Sequence, residues 1–146
     1  MAGKKLEILL VEDSASDARL LGEALENTGL PYRLNLSSTG ADALEYLFRR
    51  GKHSDVLSPD IVLLDLNLPD QSGHEVLRQL KSQDATRMIP VIILSGSKTD
   101  RDVTDAYDEH ANCYVTKPNN MEEYFRVVRV IQSFWANVVA RPAYRG

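Results

Sequence analysis

Five short apolar runs alternate with five longer amphipathic stretches along this chain, and that alternation limits the folds open to it. The short runs are EILLVED (7–13), YRLNLSS (32–38), IVLL (61–64), PVIILS (90–95) and NCYVTKP (112–118). The first, third and fourth are apolar almost throughout, without the in/out alternation of a strand with one wet face. Strands of that kind are buried on both sides, as in parallel sheets. Parallel neighbours need a crossover connection, and the amphipathic stretches supply it. The pattern predicts an α/β fold, a doubly wound five-stranded parallel sheet with five helices, with YRLNLSS as an edge strand.

Local signals place the helices. Ser14 is a candidate N-cap for a helix carrying Ala18, Leu21, Leu25 and Thr28 on one face, with Gly29 as its stop. A second helix is predicted over 41–50, with Leu44, Leu47 and Phe48 inward and Gly51 as its stop. Gly73 opens a third, carrying Val76, Leu77 and Leu80. A fourth, over about 100–109, has a thin stripe of Val103, Ala106 and Tyr107; the last runs from Met121 as far as Val138.

The length, 146 residues, fits a single domain (1–146) with a core over about 6–137 and a tail over 138–146. The net charge of −4 argues against a nucleic-acid partner, because phosphate contacts need a basic patch. Lys4–Lys5, Arg49–Arg50 and Arg126/Arg129 are too scattered to form one. Cys113 is the single cysteine, so no intrachain disulfide can form and a reducing compartment is expected. No run has the length of a membrane span, and the first apolar run is short and ends in two acids, unlike a secretion signal. A cytoplasmic protein without membrane contact is expected.

Asp65 ends the third apolar run, where an unpaired buried carboxylate costs several kcal/mol. In a doubly wound sheet, ligands bind beyond the C-terminal ends of the strands. Those ends carry Glu12 and Asp13, Asp65, Ser95 with Gly96, and Lys117 with Pro118. Three carboxylates sharing one site repel each other, and a hard divalent cation such as Mg²⁺ relieves that while leaving room for a phosphate oxygen. Asp65 is then a candidate nucleophile for phosphoryl transfer, with Lys117 as counter-charge and the Ser95 hydroxyl and Gly96 N–H as donors.

The motifs LLVEDS, LLDLNLPDQSG, VIILSGS and YVTKP, in that order and spacing, resemble the receiver domain of two-component response regulators over roughly residues 6–137. The resemblance implies the flavodoxin-like receiver fold, with Asp65 accepting a phosphoryl group from a phosphohistidine on a histidine kinase. It implies Mg²⁺ bound directly by Asp13, largely through water by Glu12, and by Asp65 and the Asn67 backbone carbonyl. Ser95 and Tyr114 match the family's hydroxyl and aromatic switch positions. Phosphorylation adds roughly −1.5 to −2 charge, Ser95 moves toward it, and Tyr114 turns inward, reshaping the face of the fourth helix, fifth strand and fifth helix. Asn67 and Ser97 flank the site where they affect the lifetime of the phosphorylated form. EHANCYVTKPNN, IQSFW and the long loop before the third strand resemble more narrowly the stand-alone receivers that partner phytochrome-type histidine kinases. That resemblance implies a red/far-red photoreceptor as the partner.

With no output domain expected, signalling would pass through another protein or through self-association. Met121, Tyr124, Phe125, Val128, Ile131 and Trp135 form one stripe on the last helix, and Val127, Val130, Phe134 and Val138 widen it to roughly 220°, where a helix packed on one side needs only about 100°. The excess predicts a homodimer through Val127, Val130, Phe134, Trp135 and Val138. His53, His74 and His110 lack metal-ligand spacing and are expected at the surface, and Cys113 is expected as a small buried apolar residue. An aspartate-nucleophile phosphatase would carry a second acid where Asn67 stands. A nucleotide- or flavin-binding module would have a glycine-rich turn where VEDSASD stands. A degenerate receiver, acting as a phosphorylation-independent interaction module, would lack part of the acid set. The chain is expected to be a phosphoacceptor with self-catalysed phosphotransfer and autodephosphorylation, not an enzyme.

Overall fold

The computed structural model describes residues 5–142. Residues 1–4, and 143–146 of the expected tail, lie outside the described residues. The strands are β1 (Leu6–Val11), β2 (Tyr32–Ser37), β3 (Ile61–Leu64), β4 (Val91–Ser95) and β5 (Cys113–Thr116). The helices are α1 (Ala15–Asn27), α2 (Gly40–Leu47), α3 (Gly73–Lys81), α4 (Asp100–Asp108) and α5 (Met121–Ser133). All strand pairs are parallel, in the order β2-β1-β3-β4-β5, with β2 at an edge as its looser patterning predicts.

Successive strand residues point to opposite faces, so an unbroken apolar run feeds two cores. Ile8, Leu10, Ile61, Leu63 and Ile92 pack with Leu21 and Leu25 of α1 and Tyr124 and Val128 of α5. Leu9, Val11, Val62, Leu64 and Ile93 pack with Tyr46 and Leu47 of α2, Val76, Leu77 and Leu80 of α3, and Ala106 of α4. Leu63 pairs with Leu10 on one side and Ile92 on the other, and truncating so central a side chain to alanine costs about 2–5 kcal/mol.

Each helix begins on a polar cap: Ser14, Thr39, Ser72, Thr99 and Asn120 accept from the N–H groups of Asp17, Asp42, His74, Asp102 and Glu123. Gly29, at φ +75°, closes the first helix as expected.

Several boundaries differ from expectation. β1 ends at Val11, so Glu12 and Asp13 stand in the turn beyond it. α2 stops at Leu47 because Arg49 takes a left-handed conformation (φ 57°), and the N–H groups of Arg49 and Arg50 turn back to the carbonyls of Tyr46 and Glu45. Gly51 opens a short 3₁₀ turn through His53 instead of stopping the helix. The inward face of α2 is Ala43, Tyr46 and Leu47, while Leu44 and Phe48 are half-buried. Tyr107 of α4 is 49% exposed. The last helix does reach Val138, but Phe134–Val138 form a wider π turn.

Candidate functional site

The site lies beyond the C-terminal ends of β1, β3, β4 and β5, where the strand order reverses around β1 and β3. The Asp65 N–H donates to the Val11 carbonyl (3.0 Å) and the Glu12 N–H to the Ser37 carbonyl (3.0 Å), so both acids are held by continuations of the sheet's hydrogen bonding. Glu12 and Asp65 are buried and Asp13 is exposed. One carboxylate oxygen from each of the three lies within 4.8 Å of the others.

Lys117 enters from the end of β5, its N–H bonded to the Ser95 carbonyl (2.8 Å). Its Nζ donates to Glu12 (2.7 Å), Asp17 (3.0 Å) and Asp65 (3.4 Å). Burial works against the ammonium, but the hydrogen bonds to Glu12 and Asp17 and the charges of Asp65 and Glu12 more than offset it, holding Lys117 well above the usual lysine range. Burial, followed by the neighbouring Asp65 charge, raises Glu12 despite Lys117. A single ammonium therefore serves a pocket crowded with acids. Hard oxygen donors so placed, one on an open side, fit a divalent cation of the magnesium or manganese type.

The turn after β3 is fixed from two sides. The Asn67 N–H donates to Asp65 Oδ1 (3.2 Å) and the Gly73 N–H to the Leu66 carbonyl (2.8 Å). A Cβ on Gly73 would lie 2.5 Å from the Asp65 carbonyl oxygen, so α3 starts against the backbone of Asp65 only because residue 73 is glycine. Asp70 accepts from the N–H groups of Gly40 and Ala41 (2.8 and 2.9 Å), capping α2 from across the fold.

Ser95 is fully buried and its hydroxyl accepts from the Ser97 N–H (3.3 Å). Gly96 is exposed, and a Cβ there would meet nothing within 4 Å, so packing does not require glycine at that position. Tyr114 is half-buried and already directed at the β4–α4 loop: its hydroxyl donates to the Ser97 carbonyl (2.9 Å), and its N–H donates to the Tyr107 hydroxyl (3.1 Å). The Ser97 hydroxyl donates to Asp102. The hydrogen bond from Ser97, then those from His74 and Thr99, outweigh burial and hold Asp102 below the usual carboxylate range.

A family model for the response regulator receiver domain matches residues 8–129. The chain belongs to the response regulator receiver family. This receiver is 40% identical over 136 residues to response regulator Rcp1 of Synechocystis sp., covering 93% of this chain and 92% of that one. In structure it is similar to the phosphorylated cyanobacterial phytochrome response regulator RcpA (TM-score 0.92, 39% identity, 96% of this chain and 100% of the other). It is also similar to the Mn²⁺-bound form of Rcp1 (TM-score 0.88, 39% identity, 94% and 99%).

Every receiver-type residue named from sequence for the acidic pocket falls at this sheet edge, but other residues depart from expectation. His74 is not a free surface residue: its ring lies between Glu109 (2.6 Å) and Asp102 (3.3 Å), tying α3 to α4. His53 is half-buried and bonded to Asp42 (2.9 Å); His110 is exposed, as expected. Cys113 is only half-buried, and burial raises its thiol. On α5, Met121 is exposed rather than inward; in the π turn after it, Trp135 is half-buried against the α1/α5 core and makes a T-shaped ring contact with Phe134. Val127 is half-buried, whereas Val130, Phe134 and Val138 are 57%, 49% and 69% exposed and line a shallow groove of about 360 Å³ with Arg129 and Ser133. Sequence reasoning missed Asp17 on the lysine, Asp70 on α2, and buried Gln132, which accepts from the Thr28 hydroxyl (2.8 Å). Among the described residues no helix is long and apolar enough to cross a membrane.

Proposed function

We propose that this receiver, one functional unit over residues 1–146, accepts a phosphoryl group on Asp65 from the phosphohistidine of a sensor histidine kinase, and that the kinase is a phytochrome-type photoreceptor. The observation carrying this reading is the meeting of Glu12, Asp13 and Asp65 beside Lys117. An Asp65 carboxylate oxygen attacks phosphorus; the P–N bond breaks, its electron pair returns to the imidazole, and an acyl phosphate forms. Lys117 and the donors at Ser95 and Gly96 meet the transferred oxygens. Glu12, Asp13, Asp65 and the Asn67 carbonyl are the residues to hold the cation. Mg²⁺ there supplies the positive charge that lets three carboxylates and a phosphoryl group share one pocket. Hydrolysis by water restores the aspartate, so the chain is a phosphoacceptor rather than a turnover catalyst. The likeness to Rcp1 and RcpA supports the phytochrome partner.

Switching runs through Ser95, Ser97 and Tyr114. A Ser95 hydroxyl drawn to the phosphoryl group releases the Ser97 N–H, while Ser97 is also held by Tyr114 and Asp102. The loop, α4, β5 and α5 then rearrange together. The output face includes a homodimer contact through the exposed Val130, Phe134 and Val138, with the half-buried Val127 and Trp135 at its margin. The protein works in the cytoplasm without nucleic acid or membrane partners.

Incubation with acetyl phosphate tests the reading. One phosphoryl mass is gained with Mg²⁺, none without it, and none in Asp65→Asn. Gain without Mg²⁺, or an unchanged gain in the variant, rejects it.

A further inference from the structure

Lys117 is held by a residue that the phosphoacceptor reading does not use. Asp17 sits in the first turn of α1, and its Oδ2 accepts from Lys117 Nζ at 3.0 Å. An acid three residues after a serine N-cap normally turns back to the cap residue's own N–H. Here that N–H is taken: Ser14 N–H donates to Glu12 Oε2 at 3.1 Å. The Ser14 hydroxyl still caps the Asp17 N–H (3.2 Å), so the backbone of residue 17 is fixed while its carboxylate is free to reach across to β5's lysine.

An ammonium has three N–H donors. Glu12 takes one at 2.7 Å and Asp17 one at 3.0 Å; the longest contact, 3.4 Å, points at Asp65. We infer that Asp17 is a positioning residue for Lys117: with Glu12 it occupies two of the three donors and leaves the third directed at the phosphoacceptor. Glu12 is fixed just past the end of β1 and Asp17 in the first turn of α1, so two separately anchored carboxylates hold the ammonium while its longest contact goes to Asp65. When a phosphoryl group extends from Asp65, the donor already aimed there passes to a phosphoryl oxygen without breaking the other two contacts. This rests on the proposed phosphorylation of Asp65, and it adds a fourth carboxylate whose work is orientation rather than chelation.

The test combines labelling with a direct view of the lysine. Asp17→Asn keeps the side chain's size and the helix start. Labelling of Asp65 by acetyl phosphate at saturating Mg²⁺ is expected to slow by about three- to tenfold, a charged hydrogen bond discounted for the partly exposed Asp17. In a Lys117→Met background, Asp17→Asn is expected to have no further effect, because the carboxylate acts only through the ammonium. The Lys117 side-chain ammonium resonance, followed by NMR without any phosphodonor, is expected to be sharp in the unmodified protein and broadened in Asp17→Asn. Labelling at the original rate or faster, equal slowing in both backgrounds, or an unmoved ammonium resonance each overturns the inference. Failure of the unmodified protein to label at Asp65 overturns the phosphoacceptor reading instead, and the resonance still reports on the Asp17–Lys117 contact by itself.

Discussion

Gly73→Ala and Gly40→Ala place a methyl group into equally tight space with different neighbours, and the two should part company. At Gly73 the new Cβ would lie 2.5 Å from the Asp65 carbonyl oxygen and 2.6 Å from Leu66 Cα. Both are backbone atoms at the end of a central strand, where close packing leaves little freedom to yield. Neither glycine has a positive φ, so the cost is steric. Overpacking of this kind costs about 1–3 kcal/mol, offset by about 0.4–1 kcal/mol because alanine restricts the unfolded chain. A rigid neighbour puts Gly73→Ala near the upper end, at a net loss of about 2 kcal/mol. At Gly40 the Cβ would meet Gln71 Cγ at 2.6 Å and Cδ at 2.8 Å, the mobile part of a side chain that can swing aside. Its cost should stay below about 1 kcal/mol. In urea, with a slope of about 2 kcal/mol per molar for a domain this size, Gly73→Ala lowers the midpoint by about 1 M and Gly40→Ala by less than half of that. Because α3 presses on the backbone of Asp65, the Gly73 variant should also label more slowly. Equal midpoints for the two variants, or a larger loss at Gly40, would refute the claim that α3 is seated on the backbone of Asp65.

Removing the cap in Asp70→Ala should cost about 1 kcal/mol by urea denaturation at neutral pH. Slight burial raises the Asp70 carboxyl, but the Gly40 and Ala41 N–H groups more than offset that and lower it, so its stabilisation is present above the ordinary aspartate value of about 4 and lost as pH falls through the lower folded value; a difference between the variants that grows on acidification would contradict this. Gln132→Ala should lose about 1–3 kcal/mol by removing a buried side chain that accepts from the Thr28 hydroxyl and donates to the Leu30 carbonyl, and Thr28→Val with Gln132→Leu should lose clearly less than the sum of its single changes. Phe134→Lys should turn a dimer into a monomer in sedimentation at tens of micromolar while the monomer stays folded by circular dichroism; an unmodified protein that sediments as a monomer, phosphorylated or not, rejects the α5 contact.

β1, β3 and β4 were legible because burial on both faces leaves a signal within a few consecutive residues. Helix starts were legible for a similar reason, since Ser14 and Gly73 stand where caps and close approaches demand them. The end of α2 was not. Arg49 takes a conformation that favours glycine, and the nearby Gly51 drew the boundary to itself. In the pocket, Asp65 stood out because an acid after an apolar strand needs a reason. Asp17 did not, because a helix-start acid already has an ordinary local explanation, and its partner lies 100 residues away. His74 was hidden in the same way: nothing near it in sequence announces that Glu109 and Asp102 come to rest on its two ring nitrogens. Gln132 interrupts an apolar arc and reads as solvent-facing until Thr28, the C-cap of α1, is placed against it.

Borohydride trapping tests the central claim most directly, because it converts an aspartyl phosphate into homoserine at the residue that carried it. After treatment with a phosphodonor and Mg²⁺, peptide mass spectrometry should find homoserine at position 65, and a chelator should abolish it. Homoserine at another aspartate, or at position 65 in equal yield with the cation removed, would contradict the account of three carboxylates gathered to make one of them a phosphoacceptor.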